Sequence, residues 1–143
     1  MKTLKQLIES KSKKLATVSP KDTVLHALEV MAQYDVGALI VLDGQRLAGM
    51  FSERDYARKV ILQGKVSVYT KVGDIMTDKV ISVTMNHTIE QCLAIMSEKH
   101  FRHLPVLDDE GLVVGIISIG DMVKEMISQQ QFIINQLESY ISS

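Results

Sequence analysis

Hydrophobic and polar positions along the first half of the chain change period several times, and each change predicts a new element. The stretch LATVS favours a short strand, and residues 23–34 carry apolar side chains at the three- and four-residue spacing of a helix. Residues 38–51 then favour two strands joined at Asp43 and Gly44, a pair typical of a tight hairpin turn. A second helix follows, so this half of the chain predicts the order β-α-β-β-α.

The second half of the chain repeats this pattern. Residues 83–108 align with residues 18–43, and residues 115–121 align with residues 49–55 after a one-residue insertion. Eleven aligned positions are identical, and most of them are apolar. A duplication of one supersecondary unit explains both the shared pattern and the shared apolar residues.

The stretches ALIVL and LPVLD are apolar at consecutive positions, which predicts that both faces of each strand are covered. One copy alone leaves one face of its central strand exposed to water, whereas two copies packed about a pseudo-twofold axis bury both faces of each strand. Such an axis also leaves two equivalent grooves between the copies. The predicted fold class is mixed α/β (α+β), with two β-α-β-β-α repeats packed through their sheets, an N-terminal helix and an extended C-terminal helix.

Five segments are predicted along the chain. Residues 1–14 form an N-terminal helix and lead-in, residues 15–62 the first repeat, and residues 63–79 a linker with a short helical turn. Residues 80–128 form the second repeat, and residues 129–143 form a C-terminal helical tail. Apolar residues continue along the last helix beyond what the repeat needs, and such a tail often docks on a partner subunit.

Composition and charge exclude several classes of function. The net charge is −1 and the acids and bases are interspersed, so we expect no nucleic-acid partner and no membrane partner. Apolar residues make up 46% of the chain, yet no run approaches the roughly 20 apolar residues of a membrane span. The single cysteine, Cys92, excludes an internal disulfide, and the first residues do not resemble a signal peptide. We therefore expect a cytoplasmic protein.

One short motif occurs in both copies, as GMFSERD and GIISIGD. A serine followed three residues later by an acid, at a strand-to-helix junction, is typical of a helix cap, which is a purely structural role. The same geometry also places a hydroxyl group and a carboxylate around one small volume. A carboxylate accepts two hydrogen bonds side by side and therefore suits the vicinal hydroxyls of a ribose. The motif alone leaves both interpretations open.

The duplicated unit that ends in this motif resembles a tandem CBS (cystathionine β-synthase) domain pair of the small, stand-alone bacterial type. The stretches DIMT at residues 74–77 and FRHLPVLD at residues 101–108 carry the same resemblance, which covers about residues 15–126. The resemblance implies a non-catalytic regulatory module that binds AMP, ADP, ATP, NAD or S-adenosylmethionine in the two grooves. Binding is expected to signal through the packing of the copies or of the subunits.

The resemblance also implies roles for individual residues. Asp55 and Asp121 would hold the ribose hydroxyls, with Ser52 and Ser118 close to the ribose or the phosphate. Adenine would lie between strands, against the segment that precedes the first strand of the opposite copy. These adenine-contacting residues are Lys14, Ala16 and Thr17 in the Asp121 groove, and Met76, Thr77, Lys79, Val80 and Ile81 in the Asp55 groove.

Cations for the phosphates differ between the two grooves. Arg102 and His103 stand where the family commonly has a cation, and the resemblance assigns them to the Asp121 groove. The first copy lacks that cation on its strand but carries Arg54 beside its motif aspartate, with Arg58 one helical turn further on. We therefore expect both grooves to accept an adenosine group, with the Asp121 groove following the family pattern more closely.

Other chemistries have less support in the sequence. Four histidines are present, but no pair has the i, i+4 spacing on a helix and no carboxylate or cysteine cluster accompanies them, so we expect no metal site. Cys92 lies on the apolar stripe of its helix and is expected in the core. Asp55 and Asp121 belong to separate grooves and do not form an acid-base pair, so we expect neither an enzyme nor a catalytic cofactor.

Two functions of different class are open. The first is the nucleotide-binding regulatory module, whose signal an unidentified effector protein would read. The second is a structural or protein-interaction scaffold that self-associates without physiological nucleotide binding. In either case we expect a homodimer through the helices of the repeats. The candidate contact residues are Tyr56, Val60 and Ile61 in the first copy, and Met122, Met126 and Ile127 in the second.

Overall fold

The computed structural model describes residues 2–11 and 15–142, which form two copies of one unit. Each copy contains a three-stranded sheet with its helices. The strands are β1 (Thr17–Val18), β2 (Ala38–Asp43), β3 (Arg46–Ser52), β4 (Val83–Thr84), β5 (His103–Leu107) and β6 (Val113–Ser118). The helices are α1 (Leu4–Ser10), α2 (Val24–Tyr34), α3 (Glu53–Tyr56), which continues as a π-helix over Ala57–Ile61, α4 (Val72–Ile75), α5 (Ile89–Lys99) and α6 (Ile119–Ser142).

The two sheets have the same topology. β2 pairs in parallel with β1 and antiparallel with β3, and β5 pairs in the same way with β4 and β6. The predicted hairpin turn is confirmed, because Asp43 pairs with Arg46 and Gly44 has a left-handed φ of 65°. β1 and β4 have only two residues each and are shorter than predicted. After β1 the chain turns at once, because the Ser19 N–H donates to Asp22 Oδ2 at 2.8 Å.

Threonine side chains begin α2 and α5, as predicted. Thr88 Oγ1 accepts from the Gln91 N–H, and the Gln91 side chain accepts from the Thr88 N–H, which completes a capping box. Thr23 Oγ1 accepts from the His26 N–H at 3.1 Å. The two helices therefore start at equivalent positions, and each leads into the central strand of its sheet.

The two sheets face each other across an apolar layer. Leu39, Ile40 and Val41 of β2 are all fully buried. Leu39 and Val41 belong to the core of the first repeat, whereas Ile40 belongs to the layer between the sheets. This arrangement confirms the predicted class, two mixed α/β repeats packed through their sheets. The layer consists of the buried Ala38, Ile40 and Met50 with the partly buried Leu15, Leu42, Leu47, Val80, Val113 and Ile116.

The short helices α1 and α4 exchange repeats. α1 precedes the first repeat but packs in the core of the second, and α4 precedes the second repeat but packs in the core of the first. Leu4 and Leu7 of α1 are buried in the core of the second repeat. Val72 and Ile75 of α4 are buried in the core of the first repeat. The chain therefore crosses between the repeats before each of them. An apolar stripe indicates that a helix is buried, but it does not identify the surface against which the helix packs.

The motif glycines lie where these crossing segments meet β3 and β6. A Cβ at Gly49 would lie 2.5 Å from the carbonyl oxygen of Thr77, and a Cβ at Gly115 would lie 2.7 Å from Cδ1 of Ile8. Thr77 is held in this position because it exchanges two main-chain hydrogen bonds with Met50, both of 2.9 Å. Glycine is therefore required at residue 49 by the close approach of a backbone carbonyl, whereas at residue 115 the neighbouring atom belongs to a side chain that can move.

The prediction that apolar helix faces are free for self-association is partly wrong. Val60 and Met122 are fully buried in the cores of their own repeats, because they occupy the inward-facing positions of helices that lie on the sheets. Ile61 and Ile127 are exposed, at 54% and 61%.

The long helix α6 extends well past the second sheet. Among its described residues Met122 is buried, and residues 131–142 are all exposed. Its 24 residues span about 36 Å at the usual rise of an α-helix. The exposed large apolar residues of this helix are Ile119, Val123, Ile127, Phe132, Ile133, Ile134, Leu137, Tyr140 and Ile141.

Gly49→Ala is expected to destabilise the protein by about 1–3 kcal/mol, because the new methyl group collides with a backbone carbonyl. That carbonyl cannot move without breaking the main-chain pairing of Met50 with Thr77. Gly115→Ala should cost less, since the atom it meets is the end of the flexible Ile8 side chain. Urea denaturation followed by circular dichroism measures both changes.

Gly120→Ala is the matched control for these substitutions. The nearest atom to a Cβ at Gly120 is Ser118 Oγ at 3.6 Å, which is an ordinary contact. Alanine is also the better helix former, so this variant should be as stable as the wild type or more so. Equal stability of the Gly49→Ala and Gly120→Ala variants would contradict the close approach at Gly49.

Candidate functional site

Two clefts lie between the repeats, and each contains one of the two motif aspartates. The cleft around Asp121, the Asp121 cleft, has a volume of about 670 Å³, and the Asp55 cleft has a volume of about 590 Å³. Both volumes lie within the range of about 300–1,000 Å³ that is usual for small-molecule sites. The clefts adjoin, because Gly37, Ala38 and His103 line both of them.

Asp55 is held by four polar contacts. Its Oδ2 accepts from the Ser52 N–H at 3.0 Å and from Ser52 Oγ at 3.1 Å. Its Oδ1 accepts from Thr77 Oγ1 at 3.1 Å and lies 3.0 Å from Lys59 Nζ. Ser52 Oγ in turn accepts from the Asp55 N–H, so the motif forms a helix cap here. Only 11% of the Asp55 side chain is exposed.

Asp121 forms the same cap but pairs with a different lysine. Its Oδ2 accepts from the Ser118 N–H at 2.9 Å, and the Asp121 N–H donates to Ser118 Oγ at 3.0 Å. Lys11 Nζ donates to the same Oδ2 at 2.8 Å and to the carbonyl oxygen of Ile116 at 2.7 Å. Among the described residues no hydrogen bond reaches Oδ1, and 29% of the side chain is exposed. This carboxylate therefore keeps acceptor capacity within the cleft.

Burial and neighbouring groups shift the pKa of two side chains in the Asp121 cleft. Burial alone would raise the pKa of Asp121, but the hydrogen bonds from Lys11 and Ser118 outweigh it and hold this pKa below its ordinary value of 3.8. Burial lowers the pKa of His103 below its ordinary value of 6.5, and the nearby positive charges of Lys11 and Arg102 oppose the raising effect of Asp121. Near neutral pH, Asp121 is ionised and His103 is neutral.

The clefts bring together most of the residues predicted from the sequence. Each cleft receives side chains from both repeats, because the sheets pack against each other with the motif of one repeat next to the leading segment of the other. The Asp55 cleft is lined by Ser52, Arg54, Asp55, Thr77, Val80, Ile81, Arg102 and His103, and the Asp121 cleft by Ala16, His103, Ser118 and Asp121.

Several predicted residues lie elsewhere. Thr17 and Lys79 are exposed and line neither cleft, and Met76 packs against the core of the first repeat. Lys14 lies outside the described residues. Arg102, which was expected in the Asp121 groove, lines the Asp55 cleft instead. Successive side chains of an extended segment point to opposite sides. Arg102 therefore lines the Asp55 cleft, whereas the next residue, His103, lines both clefts.

The lysine partners of the two aspartates are not among the site residues predicted from the sequence. Lys59 follows Asp55 by four residues, and this spacing was a readable signal of an ion pair on one helical face. Lys11 and Asp121 are 110 residues apart and meet only because α1 packs on the second repeat. No local pattern around Lys11 indicates that contact.

Residues 2–11 and 15–142 contain no group of three histidine, cysteine, aspartate or glutamate side chains that could hold a metal ion. No helix in the same ranges is both long enough and apolar enough to cross a bilayer. Cys92 is a buried core residue, as predicted, and burial raises the pKa of its thiol to about 11. The thiol is therefore protonated near neutral pH and is a poor nucleophile.

The low pKa of His103 predicts that the protein loses stability as the pH falls below about 6.5, because the unfolded chain then binds a proton that the folded protein excludes. His103→Gln removes this contribution. The variant should lose less stability than the wild type between about pH 8 and about pH 5, as measured by urea denaturation at a series of pH values. Asp121 contributes to stability in a separate and lower range of pH, since its stabilisation is lost only as the pH falls through its depressed pKa.

His26→Gln is the matched control, because His26 is exposed on α2 and lines neither cleft. It should retain the pH dependence of the wild type between about pH 8 and about pH 5. If the His103→Gln and His26→Gln variants lose the same stability over this range, the assignment to His103 is wrong.

Residues 5–62 and 72–128 match the family model of the CBS domain, and the two matches begin near α1 and at α4. The chain is 42% identical over 125 residues to the mitochondrial CBS domain-containing protein CBSX3 of Arabidopsis thaliana, and the match covers 84% of this chain and 60% of that protein. The chain therefore spans less than two thirds of the length of this curated relative.

Two solved structures are also similar. A protein with CBS domains from Burkholderia ambifaria MC40-6 matches with a TM-score of 0.84 and 45% identity, over 90% of this chain and 96% of that chain. The structure of CBSX2 in complex with AMP matches with a TM-score of 0.70 and 26% identity, over 87% of this chain and 97% of that chain. With its duplicated unit, its two facing sheets and these matches, the chain belongs to the CBS domain family and contains a tandem pair of its domains.

Proposed function

We propose that the protein is a non-catalytic regulatory module that binds adenosine-containing nucleotides, namely AMP, ADP, ATP or NAD, in its two clefts. The observation that carries this proposal is that each of two related clefts contains the carboxylate of the repeated Gly-x-x-Ser-x-x-Asp motif. The similarity to CBSX2, which was solved with AMP, supports this choice of ligand. The cytoplasmic location stays a prediction of the sequence.

The Asp121 cleft supports ribose binding without rearrangement of its carboxylate. In the part of the chain that the structure describes, no donor reaches Oδ1 of Asp121, so this oxygen can accept from a ribose hydroxyl while Oδ2 keeps its contacts with Ser118 and Lys11. Leu15, Ala16 and Val36 of the first repeat provide apolar surface in the same cleft on which an adenine ring can pack. We therefore assign the tighter ribose contact to this cleft.

The Asp55 cleft requires an exchange of partners before a ribose binds. All the acceptor positions of Asp55 are used by Ser52, Thr77 and Lys59. The Ser52 contacts belong to the helix cap, so a ribose hydroxyl would replace the Thr77 hydroxyl or the Lys59 ammonium. Val80 and Ile81 line this cleft and offer the apolar surface for adenine.

The position of the clefts suggests how a ligand would signal. A nucleotide in either cleft contacts both repeats, and α1 and α4 already connect each repeat to the other. A ligand shifts an equilibrium between two arrangements only by its difference in affinity for them. A ligand that bridges the repeats meets this condition, because its contacts depend on how the repeats are packed.

Isothermal titration with AMP, ADP, ATP and NAD is expected to detect binding to the full chain. Asp121→Asn should weaken binding in its cleft by about tenfold or more, because it removes a charged acceptor of the ribose hydroxyls. The exposed Asp109, which lies in the turn before β6, provides the matched control as Asp109→Asn. Thermal shift gives an independent readout, since a ligand at 100 times its dissociation constant adds about 2.7 kcal/mol of apparent stability.

The alternative function, a self-associating scaffold, makes the opposite prediction in these assays. If none of the four nucleotides binds or raises the melting temperature while the protein remains oligomeric, the scaffold is the correct interpretation. If the Asp121→Asn and Asp109→Asn variants bind equally well, the motif aspartate does not hold the ribose.

We also propose a homodimer formed through the helices of the repeats. Ile61 and Leu62 after α3, and Ile127 of α6, are large apolar residues that are 54%, 75% and 61% exposed in the single chain. Light scattering is expected to give twice the chain mass of 16.0 kDa. Ile127→Glu should shift the protein toward the monomer, whereas the exposed polar substitution Glu98→Gln should not. A monomer mass for the wild type at all concentrations would contradict this assembly.

A further inference from the structure

Charged side chains are distributed unevenly between the two clefts. Among the described residues, four cations and two carboxylates line the Asp55 cleft, which leaves an excess of two positive charges, whereas three of each line the Asp121 cleft. A cleft with excess positive charge concentrates anions. The Asp55 cleft has Arg54, Arg58, Lys59 and Arg102 against Glu53 and Asp55, and the Asp121 cleft has Lys2, Lys11 and Lys124 against Asp35, Asp121 and Glu125.

Three arginines of the Asp55 cleft are available to a ligand. In the part of the chain that the structure describes, the side chains of Arg54, Arg58 and Arg102 are exposed and make no hydrogen bond or ion pair with the protein. Arg54 and Arg58 lie four residues apart on one helical segment, and Arg102 approaches from the other repeat. Like charges at this spacing repel each other, and an anion bound among them relieves that repulsion.

In its described residues the Asp121 cleft has two exposed cations without an ion pair, Lys2 and Lys124, against the three arginines of the Asp55 cleft. Lys11 is already engaged by Asp121 and by the carbonyl oxygen of Ile116. Glu125 lines the same cleft and accepts a hydrogen bond from the Lys2 N–H at 3.0 Å. Among the described residues, a chain of phosphates in this cleft would therefore meet as many carboxylates as cations.

Ribose binding in the Asp55 cleft would release one more cation. Lys59 Nζ lies 3.0 Å from Asp55 Oδ1 and 3.5 Å from Thr77 Oγ1, and 44% of its side chain is exposed. If a ribose hydroxyl takes the place of this ammonium on Asp55, the long lysine side chain is free to turn toward the phosphates. One guanidinium group can bind two phosphate oxygens at once. The three arginines and this lysine together therefore suit several linked phosphates.

We propose that the Asp55 cleft selects adenosine nucleotides that carry two or three phosphates over those that carry one. This inference rests on the proposed function and specifies the ligand class of one of its two sites. Because Arg54 and Arg58 belong to the first repeat and Arg102 to the second, the phosphate chain bridges the repeats and holds them together. The ligand that reports on the packing of the repeats is therefore the polyphosphate form.

The test uses the chain with the Asp121→Asn substitution, in which the Asp55 cleft is the intact site. Isothermal titration with AMP, ADP and ATP, with and without Mg²⁺, should give affinities that rise with the number of phosphates, with ATP about tenfold tighter than AMP. In the Arg54→Gln, Arg58→Gln, Arg102→Gln variant, ATP binding should weaken by about tenfold and AMP binding by less than about twofold. Inorganic tripolyphosphate should displace ATP from the first protein and not from the arginine variant.

Lys65→Gln is the matched control, because Lys65 is exposed and lines neither cleft. It should leave all three affinities unchanged, and melting curves will establish that each variant is folded. If AMP and ATP bind equally tightly, or if the arginine variant weakens both equally, the selection for polyphosphate is wrong while the proposed function stands. If no nucleotide binds to the wild type, the proposed function and this inference both fail.

Discussion

Each central strand, β2 and β5, is buried on both of its faces, and the helices of one repeat cover only one of them. The second face is covered when the sheets pack against each other through Ile40 and its neighbours. This packing brings the end of β3 and the end of β6 next to segments of the opposite repeat. The two clefts are therefore a consequence of how the apolar faces are buried, and they combine side chains from both repeats.

The repeated serine and aspartate serve the fold first. In both repeats they cap the helix that follows the strand, and this cap holds the carboxylate at a defined place in the cleft. The structural role and the proposed binding role are compatible, because a cap uses one carboxylate oxygen and leaves the other for a different partner. What differs between the clefts is that partner. Lys59 and Thr77 occupy the second oxygen of Asp55, whereas Lys11 shares the first oxygen of Asp121.

The resulting asymmetry follows from sequence differences around an identical motif. Arg54 and Gly120 are equivalent positions, as are Gly37 and Arg102, so the symmetric backbone carries unlike charges. A pseudo-twofold axis relates the backbones of the two repeats, but it does not require that their side chains produce the same electrostatic field. The two sites therefore differ in electrostatics although they share a carboxylate and a cap.

The sequence by itself determined the duplication, the order of the elements, the caps at Thr23 and Thr88 and the motif aspartates, because these depend on local spacing and on periodicity. It could not determine where α1 and α4 pack, that Lys11 reaches Asp121, or that Arg102 faces the Asp55 cleft. These features join residues far apart in the chain, and an apolar stripe or a single charge carries no information about its distant partner. Only the tertiary structure decided them, because burying the apolar faces of both repeats at once selects which segments meet.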